Sequence, residues 1–166
     1  MLHLEKITAK NVWDILKLKV SESQRDFVAA NDVSIIEAYI AITANGHAFS
    51  FGIYDGETPV GFLMIGFDVD DCWDGTPRIA KGNYSLWRLM IDQKYQKRGF
   101  GKKAIALGLD FVRSFPCGKA KYCWLSYEPE NVVARHLYSS FRFTETGDMD
   151  GDEIIGSSGF LVGSTG

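Results

Sequence analysis

Two apolar runs near the middle of the chain, at residues 47–54 and 59–69, are separated by the dipeptide Asp55-Gly56. Asp-Gly between two apolar runs is a strong signal for a β-hairpin, because both turn residues tolerate the positive φ that a tight turn requires. Such a hairpin sets two long strands side by side in antiparallel orientation. The chain must therefore build its core around a β-sheet, and its helices must pack on the faces of that sheet.

Further strand patterns lie on both sides of the hairpin and alternate with helical patterns. We predict strands at 2–7, 84–92, 121–127, 142–146 and 153–162, and helices after Asn11 and at 34–43, 99–114 and 131–141. The motif Ser34-Ile35-Ile36-Glu37 is a capping box, which predicts where the second helix begins. Residues 70–82 are polar and contain Gly and Pro, which indicates a loop. This order predicts an α/β fold with a mixed sheet covered by helices on both faces.

The length and the cysteine usage fit a single reduced domain. The 166 residues correspond to about one domain, 1–166, with an irregular tail expected from about residue 156, where Gly and Ser dominate. Cys72, Cys117 and Cys123 show no CxxC spacing, so we expect free thiols and a cytoplasmic location. The histidines lack metal-ligand spacing, and we predict no metal site.

Charge and hydropathy argue against two kinds of partner. The net charge is −3 and the sequence pI is about 5.6, whereas proteins that bind nucleic acid are typically basic. No stretch approaches the roughly 18 uncharged apolar residues that a membrane-spanning helix requires. We therefore expect neither nucleic acid nor a membrane as a partner.

A basic segment at 94–103 precedes the predicted third helix. It contains five cations, no acid and two glycines. The first turn of a helix has unpaired N–H groups and a partial positive charge, and glycine lets a phosphate approach the backbone closely. The segment therefore predicts an anion site. Its fit to the dinucleotide pattern GxGxxG/A is loose, because the strand ends seven residues before the first glycine and no acid lies near residue 119.

Two motifs in this half of the chain resemble those of a known enzyme family. Gln96-Lys97-Arg98-Gly99-Phe100-Gly101 resembles the acetyl-CoA motif Q/R-x-x-G-x-G/A of the GNAT superfamily of N-acetyltransferases. Downstream, Asn131, Ala134 and Tyr138 resemble the second motif of that family, Asn-x-x-Ala-x-x-x-Tyr. The resemblance extends from residue 2 to about 155. It implies a mostly antiparallel central sheet, and the chain departs from the family pattern at Arg142, where glycine is usual.

The resemblance implies an enzyme that moves the acetyl group of acetyl-CoA to a primary amine, by direct attack through a tetrahedral intermediate. Tyr138 is then the catalytic residue that serves the leaving thiolate. A backbone N–H on the strand before the basic segment polarises the thioester carbonyl. The implied cofactor-binding residues are Leu89, Met90 and Ile91 for the pantetheine arm, Gln96, Lys97, Arg98, Gly99, Phe100, Gly101 and Lys102 around the diphosphate, and Asn131, again for the pantetheine arm.

The group that removes the amine proton is left open by the sequence. An aliphatic amine with a pKa of about 10.4 arrives protonated, so some group must take its proton. Some polyamine acetyltransferases of the family carry a Glu where this chain has Trp87, and that base cannot be transferred. Glu128, Glu22, Asp26 and a water chain remain as candidates.

Acidic clusters and a narrower resemblance bear on the acceptor. A negative funnel attracts polycations, and Trp73 and Trp87 offer cation–π contacts to an ammonium group. Segments 24–31, 34–39 and 86–92 resemble bacterial spermine/spermidine acetyltransferases, which implies a polyamine acceptor. The acidic clusters comprise Asp68, Asp70, Asp71 and Asp74, and then Glu145, Asp148, Asp150, Asp152 and Glu153.

Two alternative functions remain beside the polyamine hypothesis. The acceptor could be another amine, such as an antibiotic, an amino acid, or a protein lysine or N-terminus. A non-catalytic CoA-binding module is an alternative of a different class. The family analogy also allows a homodimer joined through the closing strands.

Overall fold

The predicted hairpin joins the second and third strands of a seven-stranded sheet, but its turn is Gly56-Glu57, because Asp55 is the last residue of the second strand and pairs with Thr58. The structure is a computed structural model that describes residues 1–68 and 75–160. Within those residues the strands are β1 (Leu2–Lys6), β2 (His47–Asp55), β3 (Thr58–Phe67), β4 (Tyr84–Ile91), β5 (Tyr122–Tyr127), β6 (Thr144–Asp150) and β7 (Glu153–Gly159). The α-helices are α1 (Val12–Leu16), α2 (Asn31–Thr43), α3 (Phe100–Arg113) and α4 (Val132–Ser139).

The strand order in the sheet is β1-β2-β3-β4-β5-β7-β6. Neighbouring strands are antiparallel throughout except for β4 and β5, which are parallel. The predicted mixed, mostly antiparallel sheet is therefore confirmed. Because β7 inserts between β5 and β6, the last strand of the described residues lies inside the sheet rather than at its edge.

The helices cover both faces of the sheet, as predicted. One face carries a cluster of buried side chains that includes Ile105 and Leu109 of α3, with Leu137 of α4 at its margin. The opposite face carries a second cluster that includes Ile15 of α1 and Ala38 of α2. We call these the α3–α4 face and the α1–α2 face. None of the helices in the described part of the chain is long and apolar enough to cross a membrane.

The second helix begins earlier than the capping box predicts, so that prediction is wrong. α2 starts at Asn31, and Ser34 lies fully buried inside it. The amide Nδ2 of Asn31 donates a hydrogen bond of 2.9 Å to the carbonyl oxygen of Ile15 at the end of α1. This buried tertiary hydrogen bond fixes the helix start, whereas the Ser34 hydroxyl makes no hydrogen bond with the described residues.

The closing strands also differ from prediction. The sixth strand covers Thr144–Asp150 instead of 142–146, and residues 156–159 belong to the regular strand β7 instead of an irregular tail. β7 pairs with β5 over residues 154–159 and with β6 on its other side. Pairing on both sides outweighs the weak strand propensity of Gly and Ser. Residues 161–166 of the predicted tail lie outside the described residues.

Gly61 on β3 has no room for a side chain. An ideal Cβ there would clash with the backbone oxygen of Met90 and lie 3.0 Å from Cδ1 of Ile91. We expect Gly61→Ala to lower the free energy of unfolding by about 2 kcal/mol, because overpacking against backbone forces β3 and β4 apart. Gly159→Ala is the control, since its nearest heavy atom would be 3.8 Å away. Urea unfolding measures both variants, and equal loss of stability would contradict the packing argument.

Candidate functional site

The sheet opens between its two parallel strands. β4 and β5 are paired only at Tyr84↔Cys123 and Ser85↔Trp124. Beyond these two pairs, β4 continues along β3 and β5 continues along β7. The two strands therefore part and leave a gap that reaches both faces of the sheet.

The β4 side of the gap offers backbone groups that do not pair with β3, although the carbonyl oxygen of Ile91 already accepts a hydrogen bond from Gln96. The N–H of Asp92 donates a 2.8 Å hydrogen bond to the carbonyl oxygen of Val60, the residue beside Gly61 on β3. Alternation along the strand then directs the backbone groups of Leu89 and Ile91 away from β3 and toward the gap. Met90 differs, because its backbone is directed toward β3 and its side chain is buried on the α1–α2 face.

A β-bulge on β4 shapes the other face of the gap. Ile65 pairs with Leu86 while its neighbour Met64 pairs with Arg88, so Trp87 is an additional residue on β4. A bulge breaks the alternation of side chains. Trp87 and Arg88 consequently both point to the α1–α2 face, where both line a cavity.

The basic segment follows β4 directly and is held by the buried carboxylate of Asp92. Oδ1 accepts a 2.9 Å hydrogen bond from the N–H of Lys94, and Oδ2 accepts one of 2.9 Å from the N–H of Lys19. The N–H of Gln93 in turn donates to the carbonyl oxygen of Lys19. One carboxylate therefore ties together the end of β4, the basic segment and the connection between α1 and α2.

Gln96 has a structural task in the same network. Its amide Nε2 donates to the carbonyl oxygen of Ile91 at 2.9 Å and to Oε1 of Gln24 at 2.7 Å. Its amide donor is thus committed to the protein. The implied role of Gln96 in cofactor binding is therefore to shape the loop rather than to donate this amide to a ligand.

The rest of the basic segment turns into α3 through two left-handed residues. Lys97 has a φ of 62° and Gly99 a φ of 76°, and Gly99 occupies the N-cap without a side chain to cap the helix. The first N–H groups of α3 thus have no intrahelical partner. Lys97, Arg98 and Lys102 are exposed and form no ion pair with described residues. This helix start can accept an anion.

Tyr138 lies on the α3–α4 face. Its ring centroid is 5.9 Å from that of Tyr127 and 6.1 Å from that of Phe143. Burial, with a smaller effect of the charge on Glu153, raises the pKa of Tyr138 to about 12. At neutral pH the hydroxyl is therefore protonated and can donate a hydrogen bond. Asn131 caps α4 by accepting a hydrogen bond of 3.2 Å from the N–H of Ala134.

A cavity of about 270 Å³ lies on the α1–α2 face where β4 and β5 part. Three carboxylates and one guanidinium line it together with two indole rings. Arg88 Nη2 forms hydrogen bonds of 3.2 and 3.0 Å to the two carboxylate oxygens of Glu37. The lining residues are Glu37, Thr76, Pro77, Ser85, Leu86, Trp87, Arg88, Trp124, Leu125, Ser126, Asp150 and Glu153.

The carboxylates on the β6–β7 side of this cavity are close together. The Oγ of Ser126 donates a 2.7 Å hydrogen bond to Oε2 of Glu153. Burial and the neighbouring charge of Glu153 raise the pKa of Asp150, while Arg88 opposes the rise. Among the described residues that line the cavity, the three carboxylates of Glu37, Asp150 and Glu153 outnumber the one guanidinium, that of Arg88, so this part of the lining is negatively charged.

The other acidic residues that the sequence predicted as candidates do not line the cavity or lie outside the described residues. Glu22 and Asp26 are exposed on the α1–α2 connection and do not line the cavity. Glu128 also lies outside the lining, and burial together with the charge of Glu153 raises its pKa. Asp68 has a structural role, because its Oδ1 accepts a 2.7 Å hydrogen bond from the N–H of Gly82. The remaining members of its cluster and Trp73, at positions 70–74, lie outside the described residues.

Two charged residues of the cavity were not singled out by sequence reasoning. Glu37 was counted as part of a capping box, and Arg88 as part of an apolar strand. A charged residue in the middle of a buried strand needs a partner, and that signal at Arg88 could have been followed. Its partner on α2 is 51 positions away, so spacing alone could not identify it.

Comparison with known proteins agrees with this geometry. The model of the acetyltransferase (GNAT) family matches residues 13–143. A relative from Bacillus subtilis (strain 168), named spermine/spermidine N(1)-acetyltransferase, is 29% identical over 162 residues, which cover 93% of this chain and 96% of the relative.

Two solved structures share the fold over nearly the whole chain. The aminoglycoside acetyltransferase AAC(6′)-Ib in complex with coenzyme A superposes with a TM-score of 0.75, at 13% identity, over 96% of this chain and 95% of that one. The spermidine N-acetyltransferase from Vibrio cholerae, in complex with CoA and spermine, gives a TM-score of 0.64 at 18% identity, over 94% and 92%.

The carboxylate of Asp92 is expected to stabilise the fold as well as the loop. Asp92→Ala would leave the buried N–H groups of Lys94 and Lys19 without an acceptor, so we expect a loss of about 3 kcal/mol in the free energy of unfolding. Asp110→Ala is the control, because Asp110 forms only an exposed ion pair of 3.3 Å with Arg113 on the same helix. Surface pairs of this kind contribute at most about 1 kcal/mol. Thermal and urea unfolding compare the variants, and a similar loss in both would show that the Asp92 network is dispensable.

Proposed function

The chain belongs to the acetyltransferase (GNAT) family, and from that premise we propose that it acetylates a polyamine such as spermidine or spermine. As a member of this family it is an acetyl-CoA-dependent N-acetyltransferase. One observation carries the proposal: the gap between β4 and β5 has the basic start of α3 on one face and an acidic cavity on the other. A negatively charged donor and a positively charged acceptor can thus meet from opposite faces.

The donor side fits acetyl-CoA. An extended arm with amide groups can add to β4 as a further strand at the edge that Leu89 and Ile91 expose. The diphosphate fits the start of α3, where unpaired N–H groups of 100–102 combine with the charges of Lys97 and Lys102. We propose that this edge and this helix start hold the donor, with Asn131 at the start of α4 beside the arm.

Tyr138 is proposed as the catalytic residue on the donor side. Its pKa of about 12 lies far above the value of about 8.5 for a thiol, so the phenol keeps its proton while the thiolate leaves. Its hydroxyl can therefore donate a hydrogen bond to the sulfur as negative charge develops there. An intact Tyr138 also favours an active enzyme over a non-catalytic CoA-binding module.

The acceptor side fits a cation. The cavity holds Glu37, Asp150 and Glu153, and Trp87 adds an aromatic ring where β4 bulges. Excess carboxylate charge favours a polyamine, whose remaining ammonium groups stay protonated while one amine reacts. The relative from Bacillus subtilis is named for spermine and spermidine, which supports the same acceptor class.

A second acceptor class is supported by two buried donors in this cavity. Nε of Arg88 and Nε1 of Trp124 are buried and make no hydrogen bond with the described residues. Buried donors normally have an acceptor, and a polyamine carries none apart from its amines. An amine that also bears hydroxyl or ether oxygens, such as an aminoglycoside, would supply acceptors to both groups.

We place the enzyme in the cytoplasm and its chemistry on small-molecule amines. The free thiols of Cys117 and of buried Cys123 are typical of a reducing compartment. β6 is an outer strand of the sheet, and it offers the surface through which a homodimer could form.

The acceptor can be identified with a thiol-release assay. We expect acetyl-CoA turnover with spermidine and spermine, weaker turnover with putrescine, and none with free amino acids or a lysine peptide, because a longer polycation contacts more of the acidic cavity. Mass spectrometry should show one added acetyl group on the polyamine. Turnover confined to an aminoglycoside would instead establish the second acceptor class.

Tyr138→Phe removes only the phenolic hydroxyl. We expect kcat with spermidine to fall about 100-fold while the Kd for acetyl-CoA, measured by calorimetry, stays the same, since the hydroxyl acts on the leaving sulfur. The wild type should show no loss of kcat from phenol ionisation up to about pH 10, because the raised pKa keeps the proton in place.

Tyr127→Phe is the matched control for Tyr138→Phe. Its hydroxyl donates to Oε1 of Glu145 at 3.1 Å, and its ring packs against that of Tyr138. It should retain a kcat close to that of the wild type. An equal loss in both variants would indicate a packing effect and would contradict the catalytic role of the Tyr138 hydroxyl.

A further inference from the structure

We propose that Glu153, at the start of β7, accepts the proton that the acceptor amine loses, and that Ser126 positions its carboxylate. The inference rests on the proposed function and assigns the group that the sequence left open. It follows from the place of Glu153 in the acceptor cavity, beside the parting of β4 and β5, and from its hydrogen bond to Ser126.

Glu153 reaches the cavity because of the strand order. β7 pairs with β5, and Ser126 faces Ile155, so Glu153 lies two residues further along the same face of β7. The Oγ of Ser126 donates to Oε2 of Glu153 at 2.7 Å. A carboxylate has several lone pairs, and this single hydrogen bond leaves Oε1 able to accept a proton from a ligand.

The other carboxylates of the region are worse placed for this task. Glu37 has both oxygens bound to Arg88 at 3.0 and 3.2 Å. Glu128 does not line the cavity, and neither does Glu22 or Asp26. Asp150 lines it, but it lies on β6, one strand further from the gap than Glu153. Glu153 therefore combines access to the cavity, proximity to the gap and an oxygen without a partner among the described residues.

Charged and titratable groups approach Glu153 from every side. Asp150 of β6 faces it across the closing turn, and Glu128 follows the end of β5. The Arg88–Glu37 pair contributes from β4 and α2, and Asp152 adjoins in the turn itself. On the α3–α4 face, the charge of Glu153 contributes to the raised pKa of Tyr138. The carboxylate and the phenol thus act on the same gap from opposite faces.

The proton balance assigns one task to each of these two groups. Glu153 takes one proton from the ammonium and releases it to solvent. The freed lone pair attacks the carbonyl carbon of the thioester, the C–N bond forms and the C–S bond breaks. Tyr138 donates a hydrogen bond to the leaving thiolate and keeps its proton, and the thiolate takes up, through solvent, the second amine proton that is lost as the amide forms. The net products are the N-acetylamine, CoA thiol and one proton.

Glu153→Gln tests this assignment, because glutamine keeps the acceptor for Ser126 but cannot take up a proton. We expect kcat with spermidine to fall about 100-fold near neutral pH, with unchanged affinity for acetyl-CoA and an unchanged melting temperature. The deficit should shrink as the pH approaches the amine pKa of about 10, where the acceptor arrives already deprotonated. If Glu153 only held the cation, Glu153→Gln would raise KM and leave kcat unchanged.

Asp152→Asn is the matched control, since Asp152 is an exposed carboxylate in the same turn that does not line the cavity. It should keep the kcat of the wild type. Wild-type kcat in Glu153→Gln, or a 100-fold loss in Glu128→Gln instead, would overturn the assignment while leaving the acetyltransferase proposal intact. Absence of turnover by the wild type with every amine would overturn both. A loss of kcat in Glu153→Gln that does not change with pH would also overturn the assignment to Glu153.

Discussion

The parting of β4 and β5 is the constraint on which the site depends. Parallel strands in a sheet normally remain paired, yet here the pairing covers only two residues of each strand. β3 and β7 supply the hydrogen bonds that keep the two strands extended after they separate. The open edge costs little in stability, because each strand retains one full ladder. It also gives a ligand backbone groups to pair with at the centre of the molecule instead of at its rim.

The donor loop and the acceptor side are mechanically connected. Asp92 joins the basic segment to Lys19, and Gln96 joins it to Gln24, both in the connection that leads from α1 to α2. α2 carries Glu37, which holds Arg88 in the cavity. One hydrogen-bonded network therefore connects the loop that would bind phosphates with the helix that borders the acceptor cavity. A displacement of either element would shift the other.

The fold could be predicted from local sequence signals, whereas the acceptor cavity could not. The Asp55-Gly56 turn signal, the strand patterns and the two motifs lie within short segments, and their interpretation needs no long-range contact. The start of α2 was missed because Asn31 bonds to Ile15, a partner that no helix signal reveals. Glu153 was counted only as part of an acidic run, since its contact with Ser126 depends on the insertion of β7 between β5 and β6. The resemblance placed Tyr138 and the basic segment, but it provided no base.

The two sides of the gap differ in whether backbone groups or side chains face the ligand. The proposed donor side presents mainly backbone, at Leu89, Ile91 and the start of α3, and most substitutions there leave the hydrogen-bonding groups unchanged. The acceptor side presents side chains from α2, β4, β6 and β7. Acceptor preference can therefore evolve through single replacements on four separate elements while donor binding is retained. The same cofactor-binding site can then be combined with acceptor sites for different amines.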